Sequence, residues 1–183
     1  MSRYRRWRVD GGTYFFTVVT YRRQPLLTSD IGRALLRDAL RRVRQRRPFK
    51  VVAIVLLPDH LHTLWELPHG DDDYSTRWRQ IKTLVARALP RPIDPTNTLS
   101  ASRRWRGEHG VWQRRFYEHS CRDEADLKRL VDYIHVNPVK HQLVERVSDW
   151  PWSSFHRYVR LGEYPPDWGD GDAWYGDEFS RLE

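Results

Sequence analysis

Residues 51–67 read VVAIVLLPDHLHTLWEL, and their pattern decides the fold. With Phe49 and Lys50 in front, the apolar run from Val51 to Leu57 is unbroken, which predicts a strand buried on both faces. Pro58 and Asp59 then form a turn into a second strand, HLHTLWEL. Side chains alternate along a strand, so His60 and His62 share one face while Leu61 and Thr63 take the other. Two imidazoles so spaced stand about 7 Å apart at Cβ and can converge on one metal ion from a rigid platform. The same spacing also arises on an open strand face that binds nothing. A zinc site wants a third soft or imidazole ligand, and no sequence neighbour supplies one.

Upstream, GGTYFFTVVTYR alternates apolar and polar residues after a glycine pair, predicting a strand over 12–21. SDIGRALLRDALRRVRQRR predicts a helix with Ser29 or Asp30 as N-cap, Ile31, Leu35, Ala39 and Val43 on its apolar face and arginines on the other; Pro48 stops it. Downstream, GDDDYSTRWRQIKTLVARAL predicts a helix over 75–89 capped by Ser75. VWQRRFYEH reads as a short strand, and DEADLKRLVDYIHV as a third helix that Pro138 ends. The order β-α-β-β-α-β-α predicts an α+β, ferredoxin-like antiparallel sheet with helices packed on one face. Residues 90–110 carry three prolines and no apolar periodicity, the mark of a long functional or disordered loop. From residue 161 onward there are seven acids and one arginine. The chain therefore divides into a domain over 1–160, with a basic N-terminal arm, and an acidic, aromatic tail over 161–183.

Composition narrows the function. The 183 residues carry a net charge of +8 and are 39% hydrophobic, enough for one domain with a real core. The single cysteine, Cys121, excludes an internal disulfide and a cysteine-based zinc cluster. No apolar stretch approaches the length of a membrane span, which predicts a soluble, cytoplasmic protein with no membrane partner, and nucleoid-associated if its partner is DNA. Residues 1–50 hold 14 Lys and Arg against 3 acids, while residues 51–183 hold 18 against 21. The basic character is N-terminal and mostly arginine, which forks onto phosphates and stacks on bases. Together with nine Trp and nine Tyr, this points to nucleic acid. In RYRRWR, Arg3, Arg5, Arg6 and Arg8 are interleaved with Tyr4 and Trp7, a composition suited to unstacked bases, although a basic arm touching only phosphates reads the same way. Arg77, Arg79 and Lys82 on the second helix and Arg103, Arg104 and Arg106 in the long loop are further DNA-contact candidates. Arg114 and Arg115 point to opposite faces if their segment is a strand, so at most one of them faces the histidines. His119 could assist protonation but reads more simply as structural; His135 and His141 flank the end of the third helix, helical phase turns His135 away from Tyr133, and neither enters the chemistry.

On the third helix, Leu127, Leu130, Val131 and Ile134 form the apolar stripe, and Asp126, Arg129, Tyr133 and Asn137 fall together on its flank. Tyr133 and Asn137 are thus neighbours at i, i+4. A helical tyrosine commonly does no more than pack the edge of a core. Beside a two-histidine platform it offers more: two imidazoles and an amide oxygen leave room on Mg²⁺ or Mn²⁺ for waters and a phosphate oxygen, with a phenolic oxygen alongside as nucleophile. The resulting phosphotyrosine keeps the bond energy, so a cut strand can be rejoined without ATP.

The segments GGTYFFTVVT, LLPDHLHTLWELP, WRQIK, VWQRRFYEH and VDYIHVNPVKHQLV, in this order, resemble the REP-associated tyrosine transposases, single-tyrosine members of the HUH (His, hydrophobic, His) transposases. The likeness runs from about residue 3 to residue 168, and His-Leu-His followed by Y-x-x-x-N-P-V-K is its specific part. It implies a ferredoxin-like HUH domain that nicks and rejoins single-stranded DNA beside the imperfect hairpins of repetitive extragenic palindromes. It further implies His60 and His62 as metal ligands, Asn137 as a polar third ligand, Tyr133 as the nucleophile of a 5′-phosphotyrosine, Mg²⁺ or Mn²⁺ as cofactor, and a monomer. A protein of this family that binds hairpin DNA without transposing, and a metal nuclease in which water attacks, are the alternatives. The acidic tail is expected to lie over the basic DNA-binding surface, in which case its removal changes cleavage rate and DNA affinity.

Overall fold

Strands β1 (Thr13–Val19), β2 (Lys50–Leu56), β3 (His60–Glu66) and β4 (Tyr117–Ser120) pair antiparallel in the order β2-β3-β1-β4. The computed structural model describes residues 9–90 and 110–170. Arg3, Tyr4, Arg5, Arg6, Trp7, Arg8, Arg103, Arg104, Arg106, nearly all of the 90–110 loop and the end of the acidic tail lie outside the described residues. Helices α1 (Asp30–Arg46) and α2 (Tyr74–Ala88) cross over between strands, and α3 (Glu124–Lys140) and the short α4 (Phe155–Arg160) follow β4. The α+β, ferredoxin-like arrangement expected from the sequence is what forms, with one difference: the helices are not all on one face.

Alternation along the strands explains why. Phe16, Val18, Leu61 and Trp65 face α1 and α2, where Trp78 stacks on Trp65 at 4.3 Å. Phe15, Val55 and Leu64 face the other way, against Leu130, Tyr133 and Ile134 of α3. The sheet is therefore the middle of three layers. His60 and His62 are on the α3 side.

Covered on both faces, β2 keeps its continuous apolar run, yet it is an edge strand rather than a central one. Its outer edge is closed by a strap, residues 152–154: Leu56 N donates to Trp152 O at 2.9 Å, Ser154 N to Ile54 O at 2.8 Å, and Ile54 N to Ser154 Oγ at 2.9 Å. That removes an open row of backbone groups on which another chain could pair.

Ser29 caps α1, accepting from Gly32 N, and this phase buries Gly32, Leu36, Ala39 and Val43 while leaving Ile31 54% exposed. A Cβ on Gly32 would fall 2.0 Å from Leu26 O, so only glycine lets α1 seat on the preceding loop. Asp73, not Ser75, caps α2 by accepting from Thr76 N. Strand β4 is shorter than VWQRRFYEH, because only Trp112 bridges to Thr20 before the chain bulges away until Tyr117. Pro138 does not end α3. It lies in the last turn, where the missing N–H forfeits one bond, and His141 N still finds Asn137 O at 3.0 Å.

Of the stretch read as a tail, Tyr164 and Trp168 stack at 4.3 Å and rest on Phe155 and His135. His135 is fully buried there, bonded to Ser154 Oγ at 2.8 Å, and burial, aided by the charges of Arg157 and His156, pushes its pKa down to about 3. The unfolded chain takes up this proton near pH 6.5 and the folded chain does not. Stability from this group is complete above about pH 6.5 and falls by up to about 1.4 kcal/mol per pH unit as pH drops toward 3. Urea unfolding at pH 7.5 and pH 5 is expected to show this loss, and His135→Gln to reduce it. No helix among the described residues is long and apolar enough to cross a membrane.

Candidate active site

The pairing of β3 with its neighbours fixes where its histidines sit. His60 lies opposite Val19, and His62 between Thr17 of β1 and Val55 of β2. Each ring is held through one nitrogen. His60 Nδ1 meets Asp59 Oδ1 at 2.6 Å, and His62 Nδ1 meets Thr17 Oγ1 at 2.9 Å. Both rings thereby keep Nε2 for something else, the usual arrangement of imidazole ligands oriented by an outer partner. Asp59 is itself gripped by Arg23 at 3.1 Å. Arg22 and Arg23 both hold positive φ, 54° and 51°, an uncommon conformation for side-chain-bearing residues and one that places this arginine behind the histidine turn. Burial pushes the Asp59 carboxyl up, but the hydrogen bonds and charges of His60 and Arg23 outweigh it and hold it below the usual carboxylate value.

From the other side, α3 brings Tyr133, Asn137 and His141, one turn apart, over this pair. The Tyr133 ring lies 5.2 Å from the His62 ring and 5.8 Å from Phe15, with Lys140 Nζ 5.2 Å from its centroid. The His60 ring is 4.9 Å from His62 and 5.0 Å from His141. One nitrogen from each of the three histidines falls within 4.8 Å of the other two. His62, Tyr133 and Asn137 are fully buried. Burial first, then the charges of His60, His141 and Lys140, hold the His62 imidazole well below its ordinary pKa, so it is neutral with a lone pair to offer. The Asn137 amide lies close enough to favour the protonated ring without making a proper hydrogen bond.

Whether a cation suits this place is decided by orphaned atoms. His62 Nε2 and both amide atoms of Asn137 are buried with no hydrogen-bond partner, a combination that is costly in an apolar interior and is relieved by a divalent ion. The donor set of two or three imidazoles and an amide oxygen fits such an ion. The residues present therefore fit the expected metal.

His141, which the sequence leaves out of the chemistry, joins the pair. With α3 running through to Lys140, the spacing Tyr133, Asn137, His141 is i, i+4, i+8, and that periodicity was the available signal. His135 is bonded to Ser154 Oγ and His119 to Asp126 at 2.8 Å, so each has a partner outside the three-histidine cluster.

Of the expected DNA contacts among the described residues, Arg77 is the one the structure buries. Arg77 is fully buried, pairing with Asp71 at 2.6 Å and donating to Pro48 O at 2.9 Å, so it ties α2 to the preceding loop and faces no ligand. Lys82 reaches Gln113 O at 2.9 Å, and Arg79 is exposed; both belong to the layer opposite the histidines. Arg114 and Arg115 are outside any strand, so the opposite-faces reading fails and both are exposed. They follow Gln113, whose amide donates to Val19 O, and Val19 is the residue facing His60.

Comparison with known proteins places these features in a family. Residues 8–137 match the family described as "Transposase IS200 like". The chain is 46% identical over 174 residues to the REP-associated tyrosine transposase of Escherichia coli (strain K12), covering 94% of this chain and 93% of that one. A relative from Haemophilus influenzae is 47% identical over 170 residues, 92% of this chain and 94% of its own. Among solved structures, that of a REP-associated tyrosine transposase bound to a REP hairpin is 44% identical, has a TM-score of 0.76, and covers 97% of this chain and 98% of that chain.

Proposed function

Since this chain belongs to the REP-associated tyrosine transposases, an enzyme family within the IS200-like transposases, we propose that it cuts and rejoins single-stranded DNA beside a palindromic hairpin through a phosphotyrosine at Tyr133. The observation that carries this reading is the juxtaposition, inside one buried cluster, of the His60–His62 pair with a tyrosine one helical turn from an unsatisfied asparagine.

Tyr133 Oη attacks the scissile phosphorus in line with the 3′-oxygen. The phosphorus–tyrosine bond forms as the bond to the 3′-oxygen breaks, the phenolic proton leaves for solvent, and the departing oxygen takes up a proton as a 3′-hydroxyl. The 5′ end stays on the enzyme, and attack by a 3′-hydroxyl reverses the step. His60, His62 and Asn137 would hold Mg²⁺ or Mn²⁺, which when bound neutralises charge on the phosphate. Lys140 adds a positive charge beside Tyr133 where that phosphate must come. Because Tyr133 has no exposure, its hydroxyl must be uncovered before attack, so productive DNA binding includes a local opening.

The partner is single-stranded DNA carrying a hairpin, which Arg114 and Arg115 are placed to contact, and the protein acts as a monomer. The test is a denaturing gel of the protein with labelled hairpin DNA and Mn²⁺. A labelled species migrating with the protein supports the reading, whereas free cleaved DNA without an adduct supports attack by water and tight binding without cleavage supports a binding protein. Asp59 orients His60, so Asp59→Asn is expected to weaken Mn²⁺ binding about 10- to 100-fold by calorimetry, with hairpin affinity in the absence of metal unchanged.

A further inference from the structure

On the far side of the sheet from the histidines, α1 and the strap after η-turn residues 147–149 enclose a groove of about 750 Å³. One wall is a ladder of arginines on α1, Arg33, Arg37, Arg41 and Arg44, and the other is formed by Trp152 and Arg157. The ladder follows from sequence: spacings of four, four and three residues keep the four guanidinium groups on one side of a helix. Its floor is apolar, with Leu40, Ile54 and Leu56 half-buried beneath it. Arg33 lies over the Trp152 ring at 4.9 Å.

The charge in this groove is incompletely answered. Arg33 pairs with Asp30 and Arg41 with Asp38 at 2.8 Å, both pairs on the helix surface, where such contacts are weak. Among the described residues no carboxylate pairs with Arg37, Arg44 or Arg157. Arg44 donates only to Phe49 O, and Arg157 to Val51 O and Val52 O. A basic rim over an apolar floor with an indole in one wall is the combination that takes a strand whose bases are unstacked; a duplex keeps its base faces stacked inside and offers the floor and the indole none of them. From Arg33 to Arg44 the helix rises about 16 Å, enough to line several nucleotides of an extended strand.

The groove also connects with the catalytic cluster. Leu56, part of its floor, pairs in register with Leu61, the residue between His60 and His62, so the groove lies directly behind the cluster on the other face of the same strands. A strand leaving the histidines reaches it by turning around the Pro58–Asp59 corner.

We propose that this groove holds the single-stranded flank of the DNA substrate, on the face opposite the catalytic residues, with bases against Trp152 and the floor and phosphates on the α1 arginines. This rests on the DNA-strand-transfer reading above, and the test separates the two. Fluorescence anisotropy would compare a blunt REP-type hairpin, the same hairpin with a short cleavable flank, and one with a long single-stranded extension, for wild type, Arg37→Glu/Arg41→Glu and Trp152→Ala. The charge reversals sit on exposed positions of α1 and leave the fold intact. Affinity for the extended DNA is expected to fall at least about 10-fold in both variants, with a shallower salt dependence in the first. Blunt-hairpin affinity and adduct formation on the short substrate stay at wild-type levels. Equal loss on the blunt hairpin, or no loss on the extended one, overturns the assignment. A photo-crosslinking residue at position 41 is expected to capture the extension. If it captures residues 171–183 of the same chain with DNA present, the acidic tail is the occupant and the proposal is wrong. Absence of any adduct with wild type would instead strike at Tyr133 chemistry and leave the groove result standing.

Discussion

Tyr133→Phe is expected to lower covalent adduct formation by about 10⁴-fold or more while binding hairpin DNA as wild type does. Removing an enzyme's nucleophile costs on that scale, because positioning and charge neutralisation remain but no bond can form. Phenylalanine suits the control. The Tyr133 ring packs edge-on to Phe15 and His62 at 5.8 and 5.2 Å, and these contacts need no hydroxyl. A phenylalanine variant that still cleaved DNA would show that water attacks and that Tyr133 only packs.

His62→Leu is expected to weaken Mn²⁺ binding by more than about 100-fold, beyond the loss from an orienting partner. The metal-free protein should stay within about 1.5 kcal/mol of wild-type stability, because leucine fills a similar volume and no longer buries an unsatisfied ring nitrogen. Wild type should in turn gain about 2.7 kcal/mol at Mn²⁺ one hundred times its Kd, and the variant none. Urea titrations with and without Mn²⁺ read both quantities. A stabilisation by Mn²⁺ that survived in His62→Leu would place the ion elsewhere.

What the sequence disclosed and what it hid follow from which physical quantities a sequence carries. Strand alternation put His60 and His62 on one face without any knowledge of the partner, and helical spacing paired Tyr133 with Asn137. Both are local periodicities. Burial is not local. Arg77 carries the same charge as Arg79, yet it is sealed in the interior by Asp71 and three backbone carbonyls, those of Arg47, Pro48 and Asp73, and charge alone does not distinguish a buried arginine from one facing DNA. The edge position of β2 was hidden for a related reason, since two covered faces give a continuous apolar run whether or not the strand is central, and the closing strap comes from about 100 residues away. Proline misled at α3. Its helix-breaking strength depends on how many turns follow, and in the last turn the penalty is small enough that His141 was carried to the histidine pair.

The fold builds the proposed catalytic cluster from one strand and one helix on one face of a sheet. Strand β3 supplies imidazoles oriented by Asp59 and Thr17, α3 supplies the tyrosine and the amide, and its C-cap residue His141 supplies a third imidazole. Such a site is prepared in advance of its substrate, apart from the opening that Tyr133 requires.

The most direct measurement is peptide mapping by mass spectrometry of wild-type protein trapped with hairpin DNA and Mn²⁺, after digestion of both partners. A nucleotide mass on the peptide containing Tyr133, attached through a 5′-phosphate, is the result expected. An adduct on any other residue, or cleaved DNA bearing a free 5′-phosphate with unmodified Tyr133, would contradict it.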